Sequence, residues 1–587
     1  MRLAFPSVAL LLAFALNAAE ASADGPTSPQ APAMPIADDP LGEPITKTVV
    51  LDQNWTAKQR AWFYSTPQGS QLIPYDWFLA LEQADSTTLF RDNKNILKYR
   101  HLPQPPSSWN PDGLPVGFVA DDGASRRWLG MTCAACHTND IRLGTTAYRV
   151  DGAPTLGDVP GFLVAMTAAL RRTMDDPAKF DRFSTAVLKS RDAPSNRVEL
   201  NAQMAASLKI REGYNQRNFP GTNVGPPVPP PSQYGRLDAV DAIVNEIYHG
   251  ALSSAARANP VANAKAADAP VSYPCLWDTP QHDLVEWLGI AKSGGPLDIL
   301  ALSRNVGEVL GVFGNFEIPD QSSLFRIGYP SSVKVSNLRA LEDQLKGLWS
   351  PQWPDDFPKI DAPAAALGAV LYAGQCASCH APIDRKDPDR KVVAVMEDSG
   401  TDPRASTNFF QRTGSSGLLA GSDISFVPFT AKMPAVASAD QMITHVVSGV
   451  ILGLAQGAPP DGLGDATFRG RHSGLADLST LRPLAKYKAR PLNGIWATAP
   501  YLHNGSVPNL KALLSPVASR PTSFTVGNRT YDPDKVGFAT DAPGFPLFQV
   551  NDATGAAIPG NRNDGHTYAA TLSDEERRQL LEYLKTL

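Results

Sequence analysis

Hydrophobic and polar positions predict two well-delimited helices in the C-terminal part of the chain. Asp361 can cap the N-terminus of the first helix. Its apolar positions recur at helical spacing and lead into Cys376: Ala365, Leu367, Val370 and Leu371. The second helix ends the chain, and the Ser573–Glu576 segment has the pattern of a capping box. Its apolar positions share one face: Leu580, Leu581, Leu584 and Leu587.

Elsewhere the pattern predicts short helices joined by long loops. Gln71–Glu82 predicts a turn entering a short helix, and Asp112–Phe118 a tight loop. Pro220–Gly235 predicts an extended spacer, and residues 251–270 a surface excursion. With 52 Pro and 45 Gly, much of the chain must be loop and turn. We therefore expect a mainly α fold of two cytochrome c-like haem domains, with long ordered loops and little sheet.

The N-terminus has the pattern of a secretory signal peptide. Arg2 precedes an apolar run, Leu3–Leu16, and small residues at Ala19, Ala21 and Ala23 form two cleavage sites. The run is too short to span a bilayer. We expect a signal peptide at 1–23, a disordered leader at 24–45, and a periplasmic or secreted protein that does not span the membrane.

Composition sets limits without naming a function. The length of 587 residues suggests more than one domain, and we place an N-terminal haem domain at 46–350 and a C-terminal cytochrome c domain at 351–587. The net charge of −5 gives no reason to expect nucleic acid as a partner.

Two Cys-x-x-Cys-His pentads carry the strongest chemical signal, at Cys133–His137 and Cys376–His380. Two thiols at this spacing can form thioethers with one haem, and the histidine that follows can bind its iron. A redox Cys-x-x-Cys pair does not need that histidine, and a zinc site built from both pairs would leave both histidines unexplained. We expect two covalently bound haem c groups, held by Cys133, Cys136, Cys376 and Cys379, with His137 and His380 on iron. The fifth cysteine, Cys275, fits a small buried hydrophobic position.

The second axial ligand decides what each iron can do, because an iron with two protein ligands carries electrons and an open one can bind dioxygen or peroxide. Several side chains after His380 could be that ligand for the second haem: His445, His472, His503, His566, Met396, Met433 and Met442.

The Asn493–Leu510 segment, NGIWATAPYLHNGSVPNL, resembles the signature of the bacterial di-haem cytochrome c peroxidase superfamily. Those peroxidases have an iron-ligating methionine shortly after this segment, and this chain has none. It is more similar to the periplasmic di-haem oxygenases, namely the rubber oxygenases and the di-haem oleate dioxygenases. The other similar stretches span nearly the whole mature chain: Leu72–Glu82, Asp112–Phe118, Trp128–Asn139, Trp277–Gly289, Arg304–Gly314 and Gly565–Leu587.

The resemblance implies a second haem with two histidine ligands, for which His566 is the first candidate and His503 the competitor. The peroxidases also carry a histidine and a glutamate soon after the first pentad. After His137 the next histidine here is His249 and the next glutamate is Glu199. The first iron is then expected to be five-coordinate in an apolar pocket.

The resemblance also implies that this pocket is lined from the Trp277–Gly289 and Arg304–Phe316 segments. Trp287, Phe313 and Phe316 are its candidate catalytic residues. His249 and His282 remain alternative ligands for the first iron.

Three functions are compatible with these features. The first is an oxygenase that adds dioxygen at a carbon–carbon double bond of an apolar small molecule or polymer, such as oleate or polyisoprene. The second is a di-haem peroxidase that reduces hydrogen peroxide, and the third is an electron-transfer cytochrome, each with a small redox protein as a possible partner. A hydroperoxide isomerase is a variant of the first function.

Overall fold

The computed structural model describes residues 34–219, 234–292, 299–319, 328–424, 431–456 and 486–587. The predicted signal peptide, most of the Pro220–Gly235 spacer and His472 lie outside these ranges.

Helices are found throughout the described ranges and vary from one turn to seven. Their bounds are α1 (Ala57–Ser65), α2 (Tyr75–Ala80), α3 (Asn93–Lys98), α4 (Cys133–Cys136), α5 (Val159–Asp175), α6 (Pro177–Leu188), α7 (Pro194–Asn218), α8 (Ala239–Gly250), α9 (Ser254–Arg257), α10 (Ile299–Gly311), α11 (Val335–Leu345), α12 (Ala362–Gln375), α13 (Arg404–Gln411), α14 (Ala439–Gln456), α15 (Leu510–Leu514) and α16 (Asp574–Thr586).

The strands are short and form small sheets of two or three strands. Their bounds are β1 (Lys47–Val50), β2 (Ile73–Pro74), β3 (Phe118–Asp122), β4 (Arg127–Met131), β5 (Thr138–Leu143), β6 (Thr146–Asp151), β7 (Arg236–Leu237), β8 (Val271–Ser272), β9 (Leu284–Val285), β10 (Ala291–Lys292), β11 (Val395–Glu397), β12 (Thr413–Ser415), β13 (Val436–Ser438), β14 (Tyr487–Ala489), β15 (Ser523–Thr525), β16 (Tyr531–Asp532), β17 (Gly537–Phe538) and β18 (Leu547–Gln549).

The expectation of a mainly α fold with little sheet is wrong. Helix covers 38% of the structure and strand covers 16%. The largest sheets have the strand orders β2-β4-β3 and β1-β6-β5. The first pentad lies between them in the sequence, after β4 and before β5. The strands have only two to six residues, which is too short for an alternation of apolar and polar residues to be recognised. The sequence therefore did not predict them.

Helices α12 and α16 begin where the sequence predicts and pack against each other. The Asp361 side chain accepts a hydrogen bond from the Ala364 amide, and the Ser573 capping box is present. The apolar face of α12 differs from the prediction, since Leu367 and Val370 are exposed. The side chains that α12 buries are instead small or aromatic: Ala364, Ala365, Gly368 and Tyr372. Close approach to α16 requires small residues, so size rather than hydrophobicity selects this face.

Residues 34–45, the last part of the predicted leader, pack against the rest of the chain. Ile36 and Ile45 are buried, and the Arg100 guanidinium pairs with Asp39 at 2.6 Å and Glu43 at 2.9 Å. Both carboxylates lie in the predicted leader, and Arg100 is fully buried. Glu43 also accepts hydrogen bonds from the amides of Arg529 and Thr530, so the segment is attached to both halves of the chain.

One hydrophobic cluster runs through both predicted domains, from Trp55 to Leu584. Trp353 packs on Phe357 and Trp496, with ring centroids 5.0 and 5.6 Å apart. The segment around the predicted boundary at 350 is thus packed as core. Within the described ranges, no helix has the length and apolar character needed to cross a membrane.

Candidate haem-binding sites

The first pentad forms a single helical turn, α4, between strands β4 and β5. The His137 amide donates to the Cys133 carbonyl, which closes the turn. The Cys133 thiol lies 3.3 Å from the side-chain amide nitrogen of Gln68. His137 Nδ1 lies 2.9 Å from the carbonyl oxygen of Pro274.

The second pentad has the same arrangement around its histidine. His380 Nδ1 lies 2.6 Å from the carbonyl oxygen of Arg490. A carbonyl oxygen can only accept, so Nδ1 carries the proton in both histidines. Burial lowers the pKa of His137 to about 4 and also lowers the pKa of His380. Both rings are therefore neutral near pH 7 and have the Nε2 lone pair that a metal requires.

A cavity with an empty volume of about 1330 Å³ adjoins the second pentad. Cys376, Cys379, His380 and His566 all line it, and the rest of the lining is mostly apolar. The imidazoles of His380 and His566 have centroids 6.2 Å apart. Two imidazoles that share one metal ion at bonds of about 2 Å have centroids about 6 Å apart. Thiols, histidines and cavity thus fit a haem c group.

His566 is held in this position by a strained backbone. Its φ is +48°, in the left-handed region that most residues avoid, and its amide donates to the Ser399 carbonyl at 2.7 Å. Gly565 precedes it with φ of +74°, and a Cβ there would lie 2.4 Å from the backbone of Gly400. Burial lowers the pKa of His566 to about 4.

His503 lines the same cavity in a different way. Its ring stacks on Tyr487 with centroids 3.7 Å apart and an angle of 15° between the planes. Burial lowers its pKa to about 3. This is the arrangement of a packed aromatic side chain in the cavity wall.

The other candidate ligands have varied environments. His445 Nε2 lies 2.7 Å from the Tyr329 hydroxyl, and its Nδ1 lies 3.0 Å from the Asp423 carbonyl. His282 is buried, and its ring nitrogens have no hydrogen-bond partner among the described residues.

The three candidate aromatic residues do not line one cavity. Trp287 borders the cavity of the second pentad, and its indole donates to the Ser272 carbonyl at 2.7 Å. Phe313 and Phe316 border a separate cavity between α7, α8 and α10. Phe313 also belongs to the hydrophobic cluster that contains Ala135 and packs against Cys136.

The structure brings acidic groups toward the first pentad that its flanking sequence lacks. Glu308 on α10 and Glu286 share a hydrogen bond and line an apolar cavity of about 700 Å³. The charge of Glu308 acts on Cys133 and Cys136, and burial raises the pKa of these thiols to about 11 and 12. Burial, followed by the Glu286 carboxylate, raises the pKa of Glu308 to about 8.

Arg304 lies beside this carboxyl pair. It forms an ion pair with Glu342, and its Nε is 3.7 Å from Glu308. Arg304 and Glu308 are spaced i and i+4 on a helix that the sequence places about 170 residues after the pentad. In the sequence, the one signal for Arg304 and Glu308 is their i, i+4 spacing within Arg304–Gly314, a stretch that resembles the di-haem oxygenases.

The two cysteine pairs do not converge on a zinc site. All five cysteines are free, and no group of three or more His, Cys, Asp or Glu side chains able to hold a metal ion occurs in the described part of the chain. Cys275 is buried, as expected.

Comparison with known proteins supports a cytochrome assignment. Residues 486–525 match the family described as RoxA-like, cytochrome c-like. The Sinorhizobium fredii protein y4iJ is 32% identical over 92% of this chain and 94% of its own length. A second protein of that organism, y4iM, is 26% identical over 53% of this chain and 63% of its own. Both relatives are uncharacterised.

The matched segment contains the YLHNG motif with His503 and lines the same cavity as the second pentad. The protein thus has a RoxA-like, cytochrome c-like region, for which haem c is the cofactor and a haem-dependent oxidoreductase the class. The chain belongs to the family of y4iJ.

Proposed function

We propose that the protein is a periplasmic di-haem c-type oxygenase that adds dioxygen at a carbon–carbon double bond of an apolar substrate. Each pentad would bind one haem covalently. The main observation in support is a difference between the two sites. The ring centroids of His380 and His566 are 6.2 Å apart, whereas the ring next to His137 is that of Tyr273, with centroids 6.0 Å apart. Haem c, when bound, supplies an iron that carries electrons if both axial positions are filled and binds small ligands if one is open.

The protein's side chains have separate tasks in this proposal. The Pro274 and Arg490 carbonyls orient His137 and His380 and keep each Nδ1 protonated. His566 would provide the second protein ligand at the site of the second pentad. Ile243, Ile290 and Val447 line the cavity of Glu308 and would keep water away from the Glu308 carboxyl.

One observation favours the peroxidase as a second candidate. Reduction of peroxide needs a group that moves a proton between the two oxygen atoms, and a glutamate carboxyl can take that role. Burial raises the pKa of Glu308, which acts electrostatically on Cys133 and Cys136, to about 8. In an oxygenase the same group would only shape the cavity, because both oxygen atoms enter the substrate.

Isotope labelling separates the two functions. The holoprotein is incubated with oleate, or with polyisoprene latex, under labelled dioxygen, and products are analysed by mass spectrometry. The oxygenase predicts two labelled atoms in a hydroperoxide or cleavage product, without added peroxide or stoichiometric reductant. Peroxide turnover with a small cytochrome donor, and no oxygen uptake with either alkene, would support the peroxidase instead.

The Glu308→Gln variant sharpens this test. It keeps the size of the side chain and removes the titratable group, so a peroxidase would lose at least about a hundred-fold in rate. An oxygenase that does not use the proton would change by only a few-fold.

A further inference from the structure

Two cationic side chains lie in the wall of the cavity at the second pentad. Of the described residues that line this cavity, Lys488 and Arg490 are those with an ammonium or a guanidinium group. Lys488 lies on β14, and Arg490 is the first residue after this strand. Side chains at i and i+2 of an extended segment share one face. The two cations therefore belong to the same wall, in a cavity whose lining is otherwise mostly apolar.

Backbone carbonyl groups are the hydrogen-bond partners of both cations in the described part of the chain. The Lys488 ammonium donates to the Leu284 carbonyl at 3.3 Å. The Arg490 guanidinium donates to the carbonyls of Cys275 and Trp277, each at 3.3 Å. These contacts are long and do not use all N–H groups of either side chain. Neither cation forms an ion pair with a carboxylate of the described residues.

Two carboxylates in this region do not pair with these cations. Glu397 lines the same cavity and accepts a hydrogen bond from the Tyr568 hydroxyl at 3.2 Å. Glu286 acts on Lys488 electrostatically, but it lines a separate cavity. Burial and the charge of Arg490 act more strongly and lower the pKa of Lys488 to about 7. A buried ammonium beside another cation costs free energy, which an anionic ligand in the cavity would recover.

The haem c group that this cavity fits carries negative charge of its own. Each haem has two propionate side chains, and a carboxylate that enters a mostly apolar cavity needs a cation or several hydrogen-bond donors. Arg490 already orients the proximal histidine, because its carbonyl oxygen lies 2.6 Å from His380 Nδ1. The wall that positions the proximal ligand is thus the wall that carries the two cations.

We propose that Lys488 and Arg490 bind the propionate carboxylates of the haem attached at the second pentad. Lys488 supplies a compact positive charge, and the planar guanidinium of Arg490 matches the two oxygen atoms of a carboxylate. The inference rests on the proposed attachment of haem at Cys376 and Cys379 and is independent of the reaction that the haem takes part in.

Infrared spectroscopy of the labelled haem tests these contacts without any turnover. The holoprotein is produced with 5-aminolevulinate that carries carbon-13 in its carboxyl group, which becomes the propionate carboxyl of haem. Ionised and protonated carboxyl groups absorb at different frequencies, and the label identifies their bands. In Lys488→Met, one labelled propionate per chain should change from the ionised to the protonated form at pH 7, because loss of the cation in apolar surroundings raises its pKa. Lys488→Arg keeps the charge and should retain the ionised form.

Lys535→Met is the matched control, since it removes the same charge from a half-exposed position outside this cavity. Its labelled bands should match those of the wild type. If Lys488→Met does not fold, as judged by circular dichroism, Arg490→Gln replaces it, and the same loss of one ionised propionate is expected. A folded Lys488→Met with the labelled bands of the wild type, or the same change in Lys535→Met, would overturn the site.

Haem attachment and the propionate contacts can fail separately. The pyridine haemochrome yield of the wild type counts the covalent haems. A yield of one haem per chain that survives replacement of Cys376 and Cys379 would refute attachment at the second pentad, and the propionate site with it. A yield of two haems per chain, with unchanged labelled bands in Lys488→Met, would refute the propionate contacts alone.

Discussion

Arg490 connects the surroundings of the two pentad histidines through its own backbone and side chain. Its carbonyl oxygen accepts from His380 Nδ1 at 2.6 Å, and its guanidinium donates to the Cys275 carbonyl at 3.3 Å. Cys275 follows Pro274, whose carbonyl accepts from His137 Nδ1. One hydrogen-bonded segment thus runs from the first pentad histidine to the second.

Arg490→Gln should lower the reduction potential of the second haem. Removing a half-buried cation beside His380 makes the reduced, less positive iron less favourable. The expected shift is tens of millivolts, and about 59 mV corresponds to about 1.4 kcal/mol for one electron. Spectroelectrochemical titration measures it. Arg490→Lys keeps the charge and should stay near the wild-type potential; an equal shift in both variants would point to packing instead of charge.

His566→Ala should convert the second haem from six-coordinate low-spin to high-spin, because the His566 ring lies 6.2 Å from the His380 ring and would supply the second protein ligand. Electron paramagnetic resonance and carbon monoxide binding report the change. His503→Ala removes a ring that stacks on Tyr487, so it should reduce stability and leave the spin state unaltered. High-spin iron in the His503 variant alone would make His503 the ligand.

Replacing Cys376 and Cys379 together with alanine should halve the covalently bound haem. Thioethers survive acid–acetone extraction, whereas a haem held only by axial ligands is removed. The pyridine haemochrome yield per polypeptide measures the loss. Cys275→Ala changes a buried free thiol and should retain the full yield. An unchanged yield in the double variant would exclude haem attachment at the second pentad.

Glu308 should make the folded protein less stable as the pH rises. Its pKa is raised from an ordinary value near 4.5 to about 8, so the folded state binds more protons than the unfolded state between these values. The contribution of Glu308 to stability is present below about pH 4.5 and is lost as the pH rises toward 8. Thermal unfolding of the holoprotein from pH 5 to 8 should show a weaker pH dependence in Glu308→Gln; identical slopes would argue against the buried carboxyl.

Gly368→Ala should destabilise the packing of α12 on α16. A Cβ at this position would lie 2.0 Å from the Gln579 carbonyl oxygen, so the helices would have to separate. We expect a loss of about 1–3 kcal/mol in the free energy of unfolding, measured with denaturant. Gly374→Ala, on the same helix with nothing within 4 Å, should be neutral or slightly stabilising. Equal effects of both changes would contradict the close contact.

The sequence by itself determined the chemistry that is local along the chain. Thiols at i and i+3 with the next residue histidine define a haem attachment motif wherever the segment lies. The caps at Asp361 and Ser573 likewise depend on neighbours within four residues, and both are present as predicted.

Only the tertiary structure decided which distant groups share a site. Glu308 and Arg304 act electrostatically on the first pentad from α10. The Pro274 and Arg490 carbonyls meet His137 and His380 across more than 100 residues. The exposed Leu367 and Val370 show the same limit, because burial depends on the partner helix and not on periodicity. Contacts of this kind depend on long-range packing, which leaves no periodic or spacing signal in one sequence.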